Sequence, residues 1–507
     1  MFTQNDLQQI QKQGSNLALI EQQIQDFRQG FPFLPILKAA TVGDGILQNP
    51  DNAFFIQKFE QALSQKSIIK FVPASGAASR MFKNLFSFKE SYKNTDAEYQ
   101  AYLSNKKADS PQVFFENIKQ FAFFEDLERS YGKSLEEGIK NRDFVGILEA
   151  FLGENGLNYG NLPKGLLKFH AYLQGNRTPA EEHLVEGAVY ANQNGKVGLH
   201  FTVSPEHQAK FEALISQVLD KYEQEHQVRY TIDFSIQKPA TDTIAVDLEN
   251  NPFRQDDGTL LFRPAGHGAL LANLDEIDAD IIFIKNIDNV VPDRLKETTF
   301  EYKKVLGGIL VVFQEKIAVY LEKLENPTDA LLDELDIFLK KELCILPVSG
   351  FENWEKDAKI AYFKQKLHRP IKVCGMVKNE GEAGGGPFWA KNQDGTVSLQ
   401  IVESAQVDMQ DEEQKNIAQN ATHFNPVDLV CGVKDHKGKK FDLLAYRDAK
   451  TGFVTQKSQS GRDLKAQELP GLWNGAMSDW NTIFVQVPIL TFNPVKVVND
   501  LLREQHQ

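Results

Sequence analysis

The sequence predicts an α/β fold in which helices cover a mostly parallel β-sheet. Residues 197–203 have the composition of a strand, residues 206–223 have helical periodicity, and residues 229–235 again read as a strand. Residues 280–285 form a short, continuously apolar strand of the kind that is buried on both faces. A further strand, 68–72, passes through a loop of small residues into a helix. Strands that alternate with helices pair in parallel, which predicts the fold class.

Helical segments interrupt this pattern at defined places. The first 65 residues predict an N-terminal helical segment, because apolar side chains recur at near-helical spacing: Leu7, Ile10, Leu17, Ile20, Ile24 and Phe27. One α/β domain is predicted over 66–500, with a helical insertion at 84–160, a helical segment at 301–345 and a polar tail at 501–507. A capping box with proline at the first helical position, Thr178-Pro179-Ala180-Glu181, predicts the start of a helix that runs toward Tyr190.

Composition and charge exclude several functional classes. The formal charge is −13 and no basic tract is present, so nucleic acid is not the expected partner. The longest apolar stretch, Val305–Phe313, is far shorter than the ~20 residues of a membrane span, and the N-terminus does not resemble a secretory signal. The three cysteines, Cys344, Cys374 and Cys431, form no C-x-x-C pair, which disfavours a disulfide framework or a zinc site. We therefore expect a cytoplasmic protein.

The loop after the strand 68–72 is a candidate phosphate site. A strand that ends in small residues before a helix directs backbone N–H groups and the positive helix end toward one point, and Arg80 adds a fixed charge. A compact structural turn is the alternative. The segment, Pro73-Ala74-Ser75-Gly76-Ala77-Ala78-Ser79-Arg80-Met81, resembles the L-A-A-G-x-G-T-R-M loop of sugar nucleotidyltransferases, with Ala78 in place of the second glycine. The resemblance implies that residues 74–79 bind a nucleotide triphosphate and that Arg80 acts in catalysis.

A second part of that signature lies beyond the helical insertion. The family has a P-K-x-L-L segment whose lysine contacts phosphate, and the sequence Pro163-Lys164-Gly165-Leu166-Leu167 is similar to it. The resemblance implies that Lys164 is a catalytic phosphate ligand and that residues 84–160 separate two halves of one signature. An ordinary solvated lysine is the alternative, and Lys83 and Lys89 are other candidates for the same role.

Two central segments resemble the UDP-sugar pyrophosphorylase branch of that superfamily. The segment Pro264-Ala265-Gly266-His267-Gly268 is similar to its P-x-G-H-G loop, which implies that Gly266, His267 and Gly268 bind the nucleobase. The segment Asn286-Ile287-Asp288-Asn289 is similar to its N-x-D-N segment, which implies a catalytic, magnesium-binding Asp288. Independently, a carboxylate at the carboxyl end of a buried strand lies where α/β sheets bind ligands, and Mg²⁺ takes one or two carboxylates with phosphate oxygens. The alternatives are a turn-capping aspartate and a histidine that holds its own loop.

The remaining candidates are more scattered. Gln237 lies in an F-x-Q-x-x-P segment similar to that of the same branch and is assigned to the nucleotide. The glycine-rich segment 379–388, with Asn379 and Gly385, predicts a lid over a sugar phosphate or, alternatively, an ordinary hairpin loop. Glu403 follows a strand similar to the family's V-V-E-Y-S-E-I segment, which implies contact with sugar hydroxyls. We also assign Lys496 to the sugar phosphate and Asp428 to the metal.

Three segments, 162–167, 200–204 and 374–381, carry a resemblance that extends over nearly the full length of the chain. Through them the chain is similar to a bacterial family catalogued as a domain of unknown function. The resemblances together imply a Rossmann-like fold of the glycosyltransferase-A type and a Mg²⁺-dependent nucleotidyltransferase. Such an enzyme joins an NTP and a sugar 1-phosphate into a nucleotide sugar and pyrophosphate. The alternatives are a glycosyltransferase that consumes a nucleotide sugar and a non-catalytic nucleotide or sugar-phosphate binding protein, and release of pyrophosphate separates them.

Overall fold

The computed structural model describes residues 2–48, 51–76, 78–381, 384–459 and 461–507. The chain forms two compact units. The first unit comprises Met1–Ile69, Gln237–Ile284 and Tyr302–Ile489, and the second unit comprises Lys70–Ile236, Lys285–Glu301 and Leu490–Gln507. Both units combine helices with strands, and each unit contains parallel strand pairs, which confirms the predicted α/β class; several further pairs in the first unit are antiparallel. Within the described residues, no helix has the combined length and apolar character that a membrane span requires.

The central strand of the first unit is Ile371–Lys378, in which every residue except Lys378 is buried. This strand pairs in parallel with Asn481–Gln486 and antiparallel with Asp428–Gly432. The other strands of the unit are Ile36–Ala39, Thr41–Val42, Gly45–Leu47, Thr243–Ile244, Phe262–Arg263, Ile281–Lys285, Gly386–Lys391, Val397–Val402, His423–Phe424, Phe453–Gln459 and Arg462–Glu468. Its helices are Gln4–Lys12, Leu17–Gln29, Asn52–Ala62, Leu271–Leu274, Lys296–Lys323, Asp329–Lys341, Lys356–Leu367 and Glu412–Gln419. Residues 285 and 296–301 of these elements belong to the second unit.

The N-terminal residues pack as their apolar spacing predicts. The apolar faces of the first two helices are buried together with Ile244, Val246 and Leu260, and they consist of Ile10, Ile20, Ile24 and Phe27. The segment 1–65 is nevertheless not wholly helical, because it contains three short strands. Strands of two to four residues contain too few positions for an alternating apolar pattern to be recognised.

The second unit contains the predicted β-α-β arrangement. The strand Lys196–Val203 is followed by the helix Pro205–His226 and pairs in parallel with Arg229–Ile236. The short strand Asn192–Gln193 and residues 70–73 of the strand Ile68–Pro73 complete its strands. The capping box at Thr178 is present, and almost every residue of the helix that it starts, Pro179–Tyr190, is buried.

Residues 84–160 form a compact helical region within the second unit. Its helices are Lys83–Ser91, Asp96–Ser104, Pro111–Glu116, Phe124–Tyr131, Leu135–Lys140 and Phe144–Leu152. They enclose a core dominated by phenylalanine, in which Phe114, Phe123 and Phe151 are fully buried. The C-terminal residues pack onto the same core through Leu501, so residues 501–507 are not the polar tail that the sequence predicts.

Candidate functional site

Three chain segments meet in the second unit at the end of the strand Ile68–Pro73. The carbonyl of Pro73 accepts a hydrogen bond from the Ile287 N–H at 3.2 Å. The Ala74 N–H donates to the Thr202 carbonyl at 2.9 Å, and the Ala78 N–H donates to the Leu162 carbonyl at 3.2 Å. The ends of two buried strands therefore lie beside the predicted phosphate loop. Strand ends of this kind are where open α/β sheets bind ligands.

The loop itself presents a polar, accessible surface. Gly76, Ser79 and Arg80 are exposed and Ser75 is half-buried, whereas Ala74 and Ala78 are buried. Ala78 begins a 3₁₀ turn, Ala78–Arg80, and so takes a conformation that any residue adopts without strain. The alanine at the family's second glycine position is thus compatible with this backbone. Ala77 lies outside the described residues.

Lys164 and Asp288 form an ion pair next to this loop. The Lys164 Nζ lies 2.6 Å from Asp288 Oδ2 and donates to the Val495 carbonyl at 2.6 Å. The two side chains are 18% and 17% exposed, so the pair is sheltered but reachable from solvent. The Val495 N–H donates back to the Asp288 carbonyl at 3.4 Å. The C-terminal segment, the 3₁₀ turn Lys164–Leu166 and the Asp288 loop therefore form one contiguous arrangement.

Two exposed cations lie on segments that are hydrogen-bonded to each other beside the ion pair. Lys496 follows Val495 directly and its side chain is exposed. Arg80 precedes Met81, whose carbonyl accepts a hydrogen bond from the Val498 N–H at 3.2 Å. This bond ties the loop that carries Arg80 to the C-terminal segment that carries Lys496. Of the other lysines considered for a phosphate role, Lys89 forms an ion pair with Glu149 in the helical region.

A buried charge network lies under the Asp288 loop. Glu186 receives the ammonium groups of Lys285 at 2.7 Å and Lys70 at 2.9 Å, and all three side chains are essentially inaccessible. Burial opposes ionisation of Glu186, but the two lysines hold its pKa well below its usual range. His183 donates from Nε2 to the Ile287 carbonyl at 3.2 Å, and burial lowers the pKa of this imidazole well below its usual value. The network therefore fixes the backbone immediately before Asp288.

A second cluster of predicted residues lies in the first unit. The rings of His267 and Trp473 stack with their centroids 4.2 Å apart and an interplanar angle of 8°. His267 Nε2 lies 3.6 Å from Glu403 Oε1, and Glu403 also accepts a hydrogen bond from the Asn474 amide. The imidazole, followed by that amide, lowers the pKa of Glu403 despite partial burial of the carboxylate. The Asn474 Oδ1 is buried and has no hydrogen-bond donor among the described residues.

The glycines around His267 are required by close packing. A Cβ at Gly268 would lie 2.1 Å from the Pro470 carbonyl oxygen, and Gly266 has φ +75°. The Leu472 N–H donates to His267 Nδ1 at 3.0 Å, which leaves the proton of the neutral ring on Nε2. His267 thereby ties its loop to the turn at residues 470–472, and its contact with a nucleobase stays a prediction.

The segment predicted as a lid, 379–388, is shorter than expected. Gly386 is already the first residue of the strand Gly386–Lys391 and pairs with Val402, because the glycine run continues into a regular antiparallel ladder. A Cβ at Gly385 would lie 2.6 Å from Ile401 Cγ2 and 3.5 Å from Asn474 Oδ1. Gly385 therefore belongs to the Glu403 cluster. Glu382 and Ala383, within the same predicted loop, lie outside the described residues.

The other predicted residues occupy separate positions. Gln237 donates to Asp242 at 3.1 Å, and the exposed Asn379 accepts a hydrogen bond from the Gly381 N–H. Asp428 is 2% exposed and forms an ion pair with Lys303, which is fully buried.

Of the two aspartates predicted as metal ligands, Asp288 has surroundings that suit a magnesium ion and Asp428 does not. Among the described residues, no three His, Cys, Asp or Glu side chains come together as a metal site. Asp428 does not fit, because its carboxylate and the lysine that pairs with it are both sealed from solvent, so a cation cannot replace that lysine without leaving a buried charge unpaired. Asp288 fits, since its Oδ1 is not used by Lys164 and a single carboxylate suffices when phosphate oxygens provide the other ligands.

Several residues of these arrangements carry no local sequence signal. Val495 acts through its carbonyl, and Glu186 lies in the middle of a helix where its charge predicts exposure. Trp473 and Asn474 follow the turn Pro470-Gly471, which is the one signal that could have drawn attention to them.

Comparisons with known proteins show a family and a set of similar structures. A family model described as "Domain of unknown function (DUF4301)" matches residues 3–507, which confirms the predicted family resemblance. A mutant of UDP-glucose pyrophosphorylase from Leishmania major is 13% identical, with a TM-score of 0.45 over 98% of this chain and 78% of that chain. A uridine diphosphate N-acetylglucosamine pyrophosphorylase from Trypanosoma brucei is 12% identical, with a TM-score of 0.46 over 96% of this chain and 74% of that chain. No curated protein sequence matches the chain.

Proposed function

We propose a function for this chain, which belongs to the DUF4301 family: it is a Mg²⁺-dependent nucleotidyltransferase that joins an NTP and a sugar 1-phosphate. The products are a nucleotide sugar and pyrophosphate, and the fold is of the glycosyltransferase-A type. The observation that carries the proposal is the ion pair of Lys164 and Asp288 beside the exposed 74–80 loop. The loop and Lys164 match the two halves of the signature quoted above, and Asp288 matches the N-x-D-N segment.

The second unit has the charges that a reaction between two anions needs. The acceptor phosphate attacks the α-phosphorus in line, and the pyrophosphate leaves with the electron pair of the broken P–O bond. Two anions must be held against their repulsion, so positioning and charge neutralisation supply most of the catalysis. Arg80 and Lys496 are exposed cations on segments that the Met81–Val498 hydrogen bond joins. Lys164 exchanges its partner Asp288 for a phosphate oxygen when substrate binds.

Asp288 is the residue that would hold magnesium. A bound magnesium ion supplies neutralisation of the phosphate oxygens on which negative charge develops. Lys285 and His183 keep the backbone of the Asp288 loop in place through Glu186 and Ile287. Preorganisation of this kind prevents the loop from reorganising at each turnover.

The first unit has a cluster whose chemistry suits a sugar. Glu403 and the Asn474 Oδ1 are both acceptors, and hydroxyl groups are the donors that two adjacent acceptors bind best. The stacked His267 and Trp473 rings are both half-buried, and they would supply the apolar surface on which a nucleobase, or the C–H groups of a sugar ring, packs.

The proposal is tested by a screen for magnesium-dependent pyrophosphate release over all NTPs and a panel of sugar 1-phosphates. The matched variants are Lys164→Met and Lys133→Met, because Lys133 also forms an ion pair with an aspartate of the second unit, Asp143 at 3.1 Å. Activity that Lys164→Met abolishes and Lys133→Met preserves supports the assignment. Nucleotide binding without pyrophosphate release would instead favour the non-catalytic binding protein. Consumption of a nucleotide sugar would favour a glycosyltransferase.

A further inference from the structure

A cavity of about 520 Å³ lies in the helical region of the second unit, apart from every residue assigned above. It opens between the helices Lys83–Ser91 and Asp96–Ser104 and the turn that precedes the helix Pro111–Glu116. Its volume is within the range of roughly 300–1,000 Å³ that small-molecule sites occupy.

Aromatic rings form the apolar part of the cavity. Tyr92 and Tyr102 are 4% and 8% exposed, and Phe88 stacks on Tyr92 with ring centroids 4.9 Å apart. These rings belong to the phenylalanine-rich core, so they are fixed before any ligand arrives. A preformed wall of rigid rings suits the flat C–H face of another ring.

The polar part of the cavity includes hydrogen-bond acceptors that a ligand could use. The Oε1 atom of Gln112, a residue that is 3% exposed, is buried and has no donor among the described residues, while its Nε2 donates to Glu116 at 2.8 Å. Asp109 accepts from Asn84 through Oδ2 at 2.8 Å, which leaves its other oxygen for a second donor. A buried acceptor without a donor is unfavourable. A ligand with hydroxyl groups would supply that donor.

The charges around the cavity disfavour an anionic ligand. Glu98 and Asp109 place two carboxylates at its lining, and Lys107 is the one ammonium group among the lining residues. A phosphorylated ligand would meet net repulsion here, in contrast to the Arg80 and Lys496 surroundings.

We propose that this cavity binds a neutral, polyhydroxylated six-membered ring, that is, a free hexose or a cyclitol. The aromatic wall takes the C–H face of the ring. Gln112 Oε1, Asp109 and Ser91 receive its hydroxyl groups.

One wall of the cavity is hydrogen-bonded to the C-terminal segment that also binds Lys164. Asn499 donates from its side chain to the carbonyls of Ala108 and Ser110, at 2.9 and 3.0 Å, and so fixes the loop that closes one side. Asn499 lies three residues after Lys496 on the C-terminal segment. A ligand that orders residues 105–110 therefore also orders the segment whose Val495 carbonyl holds Lys164.

Saturation-transfer NMR with D-glucose, D-galactose and myo-inositol tests the binding. Ser91→Phe fills the cavity, and Ser104→Phe is its matched control, because both serines are exposed helix-terminal residues that donate to the i−4 carbonyl at 2.8 Å. We expect Ser91→Phe to raise the Kd of the best probe at least tenfold and Ser104→Phe to change it less than twofold. Gln112→Met keeps the shape of the side chain and should raise the Kd of the best probe about threefold or more.

Three outcomes would overturn the proposal. They are the absence of binding by every probe, equal binding by wild type and Ser91→Phe, and binding of D-glucose 6-phosphate that is tighter than that of D-glucose. Retention of D-glucose binding in Lys164→Met would show that the probe does not occupy the catalytic site.

The coupling between the cavity and the C-terminal segment is tested by hydrogen exchange. D-glucose should slow exchange of the Val498 amide, and unchanged exchange would remove the link to the C-terminal segment.

Discussion

Each unit contains a lysine–aspartate pair at a position where sequence reasoning places a metal ligand, and the two pairs differ mainly in burial. The side chains of Lys164 and Asp288 are 18% and 17% exposed, whereas those of Lys303 and Asp428 are 0% and 2% exposed. An accessible pair can exchange partners with an incoming phosphate at small cost. A fully buried pair cannot open without leaving an uncompensated charge. Burial therefore distinguishes the candidate catalytic aspartate from the structural one.

The largest expected effect is on the buried pair. Asp428→Asn removes the carboxylate that faces Lys303, so we expect it to lower the free energy of unfolding by about 3–5 kcal/mol, measured by urea denaturation. The control is Asp336→Asn, since Asp336 pairs with Lys340 on an exposed helix surface, and it should change stability by less than about 0.5 kcal/mol. If Asp428→Asn were as stable as wild type, burial would not separate the two pairs.

The accessible pair should show the opposite behaviour. Asp288→Asn keeps the shape of the side chain and removes its charge, so we expect pyrophosphate release to fall ~100-fold or more, about 2.7 kcal/mol of transition-state stabilisation. Its unfolding free energy should change by less than about 1 kcal/mol. Loss of stability in parallel with activity would mean that Asp288 is structural in the same way as Asp428.

Two glycines extend the comparison to the backbone. A Cβ at Gly385 would lie 2.6 Å from Ile401 Cγ2, so Gly385→Ala should destabilise the protein by about 1–3 kcal/mol and raise KM for the sugar phosphate more than for the NTP. Apart from the two chain neighbours of Gly76, no atom of the described residues lies within 4 Å of a Cβ placed there. Gly76→Ala should therefore change the free energy of unfolding by at most about 0.5 kcal/mol. Thermal denaturation measures the stability of both variants, and initial rates at varied concentrations of each substrate measure the two KM values. Equal KM changes for both substrates would remove Gly385 from the sugar site.

The smallest expected effect concerns the pH dependence of Glu403. Its pKa is lower in the folded protein than the ordinary value of 4.5. The ionised carboxylate therefore stabilises the fold above pH 4.5, and this contribution is lost as the pH falls through the lowered pKa. We expect Glu403→Gln to reduce stability by less than about 1 kcal/mol at pH 7 and by progressively less in acid, measured by urea denaturation between pH 7 and 3. A difference independent of pH would contradict the interaction with His267.

Local pattern was sufficient for much of the fold. The capping box at Thr178 starts its helix at the predicted residue, and the β-α-β run near 196–236 forms a parallel pair with Phe201 opposite Phe234. The cap follows from interactions within a few residues, and the strands and helix of the β-α-β run follow from local periodicity, which the order of amino acids shows directly. The short strands before residue 48 and the packing of residues 501–507 were not foreseen, because each depends on a partner surface far away in the chain.

The candidate site divides in the same way. The sequence by itself determined that Asp288 follows a buried strand and that small residues and Arg80 follow another, because strand ends and turns are local properties. Only the tertiary structure decided that Lys164 reaches across 124 positions to Asp288, that Trp473 stacks on His267 and that Asp428 is sealed against Lys303. Ion pairing and burial depend on which distant segments contact each other in the folded protein, and periodicity along the chain does not indicate those contacts.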